Sequence, residues 1–157
     1  MGVEIERKFL VDHEKWHQLE KPAGVHYQQG YILNDNNRTV RVRITDTQGY
    51  ITLKGSGTSH MSRAEYEYEI PLKDGRELLK EFTKNGTEKT RYRIPYDGFT
   101  WEVDEFLGDN KGLIVAEIEL EDEQDEFEKP YWVTKEVTDD ARYFNSNLAV
   151  HPFKDWD

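Results

Sequence analysis

The sequence contains no cysteine and no long hydrophobic run. The absence of cysteine excludes disulfide bonds and thiolate metal ligands among the 157 residues and permits a reducing, cytoplasmic location. No stretch of about 18 apolar residues occurs, and no basic segment followed by an apolar one stands at the start. We therefore expect neither a membrane span nor a signal peptide.

Positive charge is also scarce. Lys and Arg number 21 against 32 Asp and Glu, which gives a formal net charge of -11. Such a balance argues against general binding to DNA or RNA, because neutralising phosphates needs a basic surface. It leaves room for a small phosphorylated ligand in a local basic pocket. Aromatic residues make up 13% of the chain, which indicates a folded domain rather than a disordered one.

Several familiar catalytic patterns are missing. Gly55-Ser56-Gly57 lacks the following helix and the Lys of a Walker-type phosphate loop. The five His residues are scattered and form no Ser, His or Cys nucleophile arrangement. With so few His and no Cys, the chain offers oxygen ligands and argues against a zinc site.

What the chain does contain is a set of short runs in which charged residues occupy every second position. Glu4-Ile5-Glu6-Arg7-Lys8 is the first run, and the others are Arg41-Val42-Arg43, Glu65-Tyr66-Glu67-Tyr68-Glu69, Lys89-Thr90-Arg91, Glu102-Val103-Asp104 and Glu117-Ile118-Glu119. Side chains alternate between the two faces of a strand, so each run places its charges on one face and its apolar groups on the other.

Two interpretations of this pattern are open. The simpler interpretation is an antiparallel sheet with one solvent-exposed face and one buried face. However, like charges two residues apart on a strand are roughly 7 Å apart and repel by about 2 kcal/mol at an effective dielectric near 20. That cost recurs from strand to strand, with acids and bases sorted into different runs. The sorting indicates that the runs converge on a polyanion with its metal ions.

The whole chain, residues 1–157, predicts a single domain of α+β class that is mainly β. Strands are predicted at 3–11, 26–33, 39–45, 50–54, 64–70, 89–94, 99–106 and 113–121. Helices are predicted from the cap Asp12 to Glu20, at 76–84, at 122–128 and from 138 or 139 to 150. The short links favour antiparallel neighbours.

Eight antiparallel strands are enough to close into a barrel. If the charged faces point inward, the interior is a polar tunnel and the amphipathic helices cover the apolar outside. The opposite closure, with apolar groups inside, leaves the sorting of charge by strand unexplained. The loop of residues 55–62 lies between two charged strands and is either a plain connection or a mobile cover over a site.

The candidate phosphate ligands are the cations on the charged faces. Arg offers a planar fork and Lys a compact point charge, so several of them around one volume suit a ligand with several phosphates. These cations are Lys8, Arg41, Arg43, Lys54, Lys89 and Arg91.

The acids on the same faces are candidate ligands of Mg²⁺ or Mn²⁺, because carboxylate oxygens suit these ions. They are Glu4, Glu6, Glu65, Glu67, Glu69, Glu102, Asp104, Glu117 and Glu119. Acids that share a site with a phosphate chain need a divalent cation between them. The combination predicts metal-assisted phosphoryl transfer, in which an activated water attacks a terminal phosphorus in line.

The chain resembles the CYTH superfamily, the triphosphate tunnel metalloenzymes. Glu4-Ile5-Glu6-Arg7-Lys8 matches the E-x-E-x-K signature at the N-terminus of that family. The remaining matches, in the order of the family's elements, are Gln29-Gly30-Tyr31, Arg41-x-Arg43, Thr52-Leu53-Lys54, Glu65-x-Glu67, Glu88-Lys89-Thr90-Arg91-Tyr92, Glu102-x-Asp104, Glu117-x-Glu119, Glu136-Val137-Thr138 and Arg142-Tyr143.

The resemblance implies an eight-stranded barrel whose tunnel grips a triphosphate and one or two Mg²⁺ or Mn²⁺ ions. It implies phosphate contacts from Lys8, Arg41, Arg43, Lys54, Lys89, Arg91 and, on the closing helix, Arg142. It implies Glu4, Glu6, Glu117 and Glu119 as leading metal ligands, supported by Glu65, Glu67, Glu102 and Asp104. It implies a catalytic set of Glu4, Glu6, Lys8, Lys89 and Glu119.

The expected function is hydrolysis of inorganic tripolyphosphate, because the chain looks most like the short, stand-alone bacterial members. Two alternatives remain open. One is a class IV type adenylyl cyclase or a nucleoside or thiamine triphosphatase, and the other is a polyphosphate-binding module without catalysis. The expected partner is a small triphosphate, with no nucleic acid or membrane. Aromatics near Trp132 and Trp156 serve either a homodimer or the packing of the tail.

Overall fold

The protein is described by a computed structural model that covers residues 2–35, 37–56, 59 and 61–156. Within these residues one antiparallel sheet contains nine strands. They are β1 Gly2–Val11, β2 Val25–Asn34, β3 Thr39–Ile44, β4 Gly49–Lys54, β5 Ser62–Ile70, β6 Gly86–Tyr96, β7 Phe99–Phe106, β8 Ile114–Glu119 and β9 Val133–Glu136.

The strands close into a barrel. Their order is β5-β4-β3-β2-β6-β7-β8-β1-β9, and an additional pairing of β5 with β1 joins the two ends of the first eight strands. That seam is short, since it runs only from the pair Gly2 and Glu65 to the pair Ile5 and Ser62. The predicted eight-stranded closed barrel is therefore confirmed, and each of the eight predicted strand segments overlaps an observed strand.

Short helices lie outside the barrel. They are α1 His13–Gln18, α2 Leu72–Phe82 and α3 Asn145–Leu148, with 3₁₀ turns at Gly108–Asn110, Ala141–Tyr143 and Phe153–Asp155. The Asp12 side chain caps α1 by accepting from the Lys15 backbone N–H. α2 lies across β3 and β4, where a Cβ on Gly75 would be 2.7 Å from the Ile44 side chain. This close approach requires glycine. No described helix is long and apolar enough to cross a membrane.

The main hydrophobic core lies outside the barrel wall rather than inside it. The outward faces of β1, β7 and β8 supply Phe9, Trp101 and Ile118, each at most 2% exposed. Trp16 from α1 and Trp132 before β9 cover them, and both are buried. Because the apolar residues of the alternating strands are used here, the charged residues of the same strands face inward.

A second apolar cluster closes one end of the barrel. Phe106 and Val115, near the ends of β7 and β8, pack against Leu148 of α3. Behind them Tyr143 and Trp156 stack edge to face, with ring centroids 5.2 Å apart. Trp132 is 2% exposed and Trp156 belongs to this cluster, so both side chains pack within the chain. The neighbouring Tyr131 is 62% exposed, and the homodimer stays a prediction.

The helix predicted at 122–128 is wrong, since turns and extended chain occupy that stretch. The Asp125 carboxylate accepts from the backbone N–H groups of Glu121 and Asp122, and the Asp122 carboxylate accepts from Gln124 N–H. Such local side-chain bonds offer the backbone an alternative to the helical ladder.

The long last helix predicted to run to residue 150 is also wrong. The chain instead makes the turn Ala141–Tyr143 and the four-residue α3, and both Asp140 and Phe144 are extended. The Asp140 carboxylate accepts from Arg142 N–H, and the Asn147 amide donates to the Ala141 carbonyl. These side-chain bonds hold the backbone in turns and prevent one continuous helix from forming over this segment.

Strand β9 was not predicted from the sequence. It is four residues long and pairs with the far end of β1, where Phe9 is opposite Glu136 and Val11 is opposite Val133. Arg7 fastens it through two bonds to the Glu136 carboxylate, at 2.8 and 2.5 Å. A run this short carries too little periodicity to be recognised.

Candidate active site

Register brings acids and bases from different strands to the same level of the tunnel. Between β1 and β8, Glu6 is opposite Glu119 and Lys8 is opposite Glu117. Between β3, β4 and β5, Arg41 is opposite Thr52, which is opposite Glu67. Directly opposite residues have Cβ atoms about 5 Å apart, so their charges act on one another strongly.

Two adjacent chambers occupy the tunnel. The larger, called the wide chamber here, has a volume of about 190 Å³ and is lined by Glu4, Glu6, Arg41, Arg43, Lys54, Glu65, Glu67, Arg91, Arg93, Glu102, Glu117, Glu119 and Asn145. The smaller, the narrow chamber, has about 50 Å³ and is lined by Glu4, Glu6, Lys8, Tyr31, Thr39, Arg41, Thr52, Lys54, Met61, Arg63, Thr138, Phe144, Asn145 and Ser146. Five residues line both chambers, Glu4, Glu6, Arg41, Lys54 and Asn145, and the region around them is called the passage here.

The deepest ionic group is a triad of Lys89, Arg91 and Asp104, none more than 7% exposed. Arg91 binds Asp104 with two bonds, Nε to Oδ1 at 2.7 Å and Nη2 to Oδ2 at 2.9 Å. Lys89 Nζ donates to Asp104 Oδ2 at 2.7 Å. Burial lowers the pKa of Lys89 to about 7, although the Asp104 carboxylate opposes the shift. Arg91 and Lys89 outweigh burial at Asp104 and hold its pKa below the usual value.

Carboxyl groups crowd together on the β1 side of the tunnel. Burial raises the pKa of Glu6 well above its usual value, and the charges of Glu117 and Glu4 raise it further. Burial also raises the pKa of Glu4, with Lys54 opposing and Glu65 adding to the shift. Glu119 has a raised pKa from burial and from the charges of Glu4 and Glu102. A cation bound nearby would stabilise the ionised form of these carboxyl groups and lower their pKa values.

Glu117 behaves differently from its neighbours. Burial acts to raise its pKa, but Lys8 and Arg91 outweigh burial and hold the pKa well below the usual value. Arg91 Nη2 is 3.5 Å from Glu117 Oε1. Glu117 is therefore the acid of this group that stays ionised most readily, beside a carboxyl of Glu6 that holds its proton more tightly.

The cations of β3 and β4 line the opposite wall. Lys54 Nζ is 2.6 Å from Glu4 Oε1 and 3.5 Å from Glu65 Oε2. Arg41 Nη2 donates to Thr52 Oγ1 at 3.3 Å and is 3.7 Å from Glu67 Oε2. Arg41 Nε is buried without a hydrogen-bond partner. An unpaired buried guanidinium N–H is costly, and a phosphate oxygen would satisfy it.

Arg43 lies beside other cations. Its Nε donates to Gln29 Oε1 at 2.9 Å, and its guanidinium carbon is 4.9 Å from the centre of the Tyr27 ring. Burial, together with the charges of Arg41 and Arg91, lowers the pKa of Arg43 to about 10. A cluster of cations this close is electrostatically strained until an anion enters.

The donor set fits a hard divalent cation. Glu4, Glu6, Glu117 and Glu119 supply only carboxylate oxygens, which suit Mg²⁺ or Mn²⁺. In the described residues, however, no three acidic or His side chains are close enough together to hold an ion by themselves. The protein thus offers one or two carboxylates at a time, and phosphate oxygens and water would complete the shell, as is usual for Mg²⁺.

The structure brings nearly all of the predicted site residues into the tunnel. Lys89 and Asp104 lie behind the chamber walls rather than on them, in the buried triad. Two residues are exceptions. The Arg142 side chain is 59% exposed and its guanidinium is bound to Asp140, with Nη2 to Oδ2 at 2.7 Å. Glu69 is exposed and lines neither chamber. The predicted loop of residues 55–62 includes Gly57, Thr58 and His60, which lie outside the described residues.

Several tunnel residues were missed by the sequence reasoning. Arg63 and Arg93 line the chambers, and each continues the alternation of its strand, so the period of two could have identified them. Thr52 carries no charge, yet it lies on the same face as Lys54 and donates to Glu67 Oε2 at 2.8 Å. Asn145 lies outside every strand, and no pattern in the sequence marks it.

Comparison with known proteins agrees with this geometry. An inorganic triphosphatase of Acetivibrio thermocellus is 51% identical over 157 residues, which is 99% of each chain. An inorganic triphosphatase of Nitrosomonas europaea is 37% identical over 94% of this chain and 97% of its own length. The crystal structure of the inorganic triphosphatase NE1496 superposes with a TM-score of 0.65 at 32% identity, over 94% of this chain and 97% of that one.

More distant structures share the fold. A conserved hypothetical protein of Pyrococcus furiosus, 20% identical, superposes with a TM-score of 0.60 over 77% of this chain and 80% of its own. Residues 2–148 match the CYTH domain family. The match spans the strands that build the tunnel, and the chain therefore belongs to the CYTH domain family.

Proposed function

We propose that the protein is a divalent-metal-dependent enzyme that hydrolyses inorganic tripolyphosphate to orthophosphate and pyrophosphate. The observation that carries the proposal is the wide chamber, where cations and carboxylates from seven of the eight barrel strands face one enclosed volume. Both curated relatives are named inorganic triphosphatases. The chamber has the two kinds of charge that a phosphate chain and its metal ions need.

Binding of the phosphates is assigned to the cations of the tunnel wall. Arg41, with its unpaired Nε, and Arg43, which is crowded by other cations, gain most from an incoming anion. The remaining phosphate ligands proposed are Lys8, Lys54 and Arg91, and Lys89, behind the chamber wall, is proposed to act on the phosphates through its charge. We leave Arg142 out of this set, since it is bound to Asp140 and lines neither chamber.

Glu4, Glu6, Glu117 and Glu119 would hold the metal, with Glu65, Glu67 and Glu102 beside them at the chamber wall. Mg²⁺ or Mn²⁺ in this position supplies charge neutralisation of the phosphates and a lowered pKa of water. Asp104 is proposed to hold Lys89 and Arg91 in place rather than to bind metal, because both of its oxygens are already taken by these cations.

The residues themselves prepare the reaction in three ways. The Arg and Lys side chains fix the phosphate chain across the tunnel, which aligns the terminal phosphorus for in-line attack. The same cations stabilise the charge that shifts to the leaving oxygen. An unprotonated Glu side chain at the β1 and β8 wall accepts the proton of the attacking water, and the enclosed barrel keeps bulk water from weakening these contacts.

The proposal is tested by measuring phosphate release from tripolyphosphate, pyrophosphate, long polyphosphate, ATP and thiamine triphosphate, each with Mg²⁺, Mn²⁺ and Ca²⁺. We expect rapid release from tripolyphosphate and little turnover of ATP. Cyclic nucleotide with pyrophosphate from ATP would indicate a cyclase instead. Binding of tripolyphosphate without release under any metal would indicate a non-catalytic module and would overturn the proposal.

Two variants test the assigned metal ligands. Glu4→Gln and Glu119→Gln each remove one carboxylate oxygen donor, and each should lower turnover of tripolyphosphate at least about 100-fold while the fold survives. The matched control is Glu81→Gln on the exposed surface of α2, which should behave as wild type. Near-normal rates in Glu4→Gln or Glu119→Gln would remove these residues from the site. Dimerisation and a cytoplasmic location stay predictions.

A further inference from the structure

Asn145 is the residue through which the C-terminal segment reaches the tunnel. It is the first residue of α3, it lines both chambers, and it is half-buried. Its Oδ1 accepts from Lys89 Nζ at 3.3 Å and from Gln29 Nε2 at 3.4 Å. Gln29 in turn accepts from Arg43 Nε through its own Oε1 at 2.9 Å. Two amides thus join the buried Lys89 to Arg43, a proposed phosphate ligand.

The orientation of both amides is fixed by the chemistry of their neighbours. A Lys ammonium and an Arg guanidinium can only donate hydrogen bonds, so the amide atom that faces each cation must be oxygen. Arg43 therefore fixes the Oε1 of Gln29, and the nitrogen of the same amide is left to face Asn145. Lys89 and Gln29 both donate to the Oδ1 of Asn145, which leaves its Nδ2 pointing elsewhere.

The Nδ2 group of Asn145 is the donor that this arrangement leaves over. Among the hydrogen bonds of the described residues none is donated by it, and Asn145 lines both chambers. An amide N–H₂ is a donor only, and the anionic phosphate oxygens proposed to lie in this passage are acceptors.

The segment that carries Asn145 is held on both sides. The Lys8 ammonium donates to the Tyr143 carbonyl at 3.3 Å, and the Asn34 amide donates to the Ser146 carbonyl at 2.9 Å. Leu148, three residues further on, is fully buried against Phe106. Asn145 is therefore positioned by a supported backbone, as a donor that contributes to catalysis must be.

We propose that Asn145 is a substrate-contacting residue, whose amide nitrogen donates to a phosphate oxygen of tripolyphosphate while its amide oxygen holds Lys89. The inference rests on the proposed function, because it needs a phosphate chain in the passage. It gives the C-terminal segment a role that the sequence had suggested for Arg142. In this proposal the Nδ2 of Asn145 contacts the substrate and its Oδ1 holds Lys89, so substitutions can test the two atoms separately.

The decisive comparison is between Asn145→Asp and Asn145→Ala. The Asp variant keeps an oxygen for Lys89 but replaces the donor by a second, charged oxygen. The Ala variant removes both atoms without adding charge. If Asn145 donates to the substrate, kcat/KM for tripolyphosphate should fall about 10- to 100-fold in the Ala variant, as expected for loss of a bond to a charged acceptor. It should fall at least about tenfold further in the Asp variant, because two anionic oxygens then face each other.

The matched control is Asn147→Asp, the same substitution two residues along the chain. The Asn147 amide donates to the Ala141 carbonyl and lines neither chamber, so this variant reproduces an added charge and a loosened segment without touching the passage. We expect its kcat/KM to stay within about threefold of wild type. Equilibrium binding of tripolyphosphate without a divalent cation, measured by calorimetry on all four proteins, gives a second readout that does not depend on turnover.

Each result decides the question. An Asp variant as active as wild type beside a weak Ala variant would show that Asn145 only positions Lys89, and would overturn the proposal. Equal rates in all variants would overturn it as well. If the wild type releases no phosphate, the proposed function fails, but the binding order of wild type over Ala over Asp would still support the contact. An Asp variant that binds as tightly as wild type would overturn it in that case too.

Discussion

Asp104 is the residue on which the buried charges of the tunnel depend. It is the common partner of Lys89 and Arg91, and it is 1% exposed. Asp104→Asn leaves two buried cations side by side with no buried anion between them. Removing one partner of a buried ion pair costs about 3–5 kcal/mol, and this value is an upper range because Lys89 can release its proton more readily once Asp104 is neutral.

Urea unfolding of Asp104→Asn measures the loss, and the midpoint should fall clearly below that of wild type. Asp109→Asn is the matched control, since the Asp109 carboxylate is 67% exposed and its ion pair among the described residues is with the exposed Lys154. The control should change stability by less than about 1 kcal/mol. An unchanged midpoint in Asp104→Asn would show that the triad does not stabilise the barrel.

At the scale of single residues, the charged residues of the tunnel wall could be predicted from the sequence, because the alternation of charged and apolar residues is visible in the sequence itself. Arg41 and Glu117 could be assigned to the interior from their neighbours alone. The separate roles of Asp104 and Glu102 could not, although both lie on β7, because partners across strands depend on register. Asp104 meets Arg91 directly across from it, whereas Glu102 is opposite Arg93.

Among the elements, the pairing of β2 with β6 depends on a glycine. A Cβ on Gly86 would be only 2.2 Å from the backbone oxygen of Gln29, where neither backbone can move without breaking the ladder. Gly86→Ala should therefore destabilise the protein by more than about 2 kcal/mol and disturb Lys89, three residues further along β6. Thermal unfolding and kcat for tripolyphosphate measure the two effects.

Gly55→Ala is the control for that substitution. A Cβ on Gly55 would meet only the Ala64 side chain, at 3.6 Å, which is ordinary van der Waals contact. This variant should keep the stability of wild type to within about 0.5 kcal/mol. Equal melting temperatures for Gly86→Ala and Gly55→Ala would show that the contact with Gln29 is relieved elsewhere.

Elements were predictable where they repeat a pattern and not where side chains override it. The eight barrel strands follow from alternation, but the acids of 122–128 bind nearby backbone N–H groups instead of forming a helix. The segment after Thr138 has helix-forming residues, yet the capping carboxylate of Asp140, the extended backbone of Phe144 and the burial of Leu148 divide it into two short pieces. Tertiary contacts of this kind have no period and leave no mark in the sequence.

For the molecule as a whole, binding and stability should be linked. The tunnel is strained by its own charges, with Glu4, Glu6 and Glu119 crowded on one wall and Arg41 and Arg43 on the other. Tripolyphosphate with Mg²⁺ relieves both walls, so it should raise the melting temperature. The gain is about 2.7 kcal/mol when the free ligand is at 100 times its Kd.

Differential scanning fluorimetry over a range of tripolyphosphate concentrations measures this gain, and sodium sulfate at equal ionic strength is the control for screening. We expect the midpoint to climb with tripolyphosphate and to stay nearly level with sulfate. Identical curves would contradict specific binding in the tunnel. Because turnover consumes the ligand, the Glu119→Gln variant is the suitable protein for the titration.

The short seam between β1 and β5 should determine where the barrel opens locally. Among the described residues four pairs close it, and Glu4 and Glu65, which belong to these pairs, both contact Lys54 of β4. Local opening of a sheet starts where the fewest backbone bonds must break. Amide protons of residues 3–5 and 62–64 should therefore exchange with deuterium before those of β7 and β8. A bound phosphate chain would act as a latch across this seam and slow that exchange.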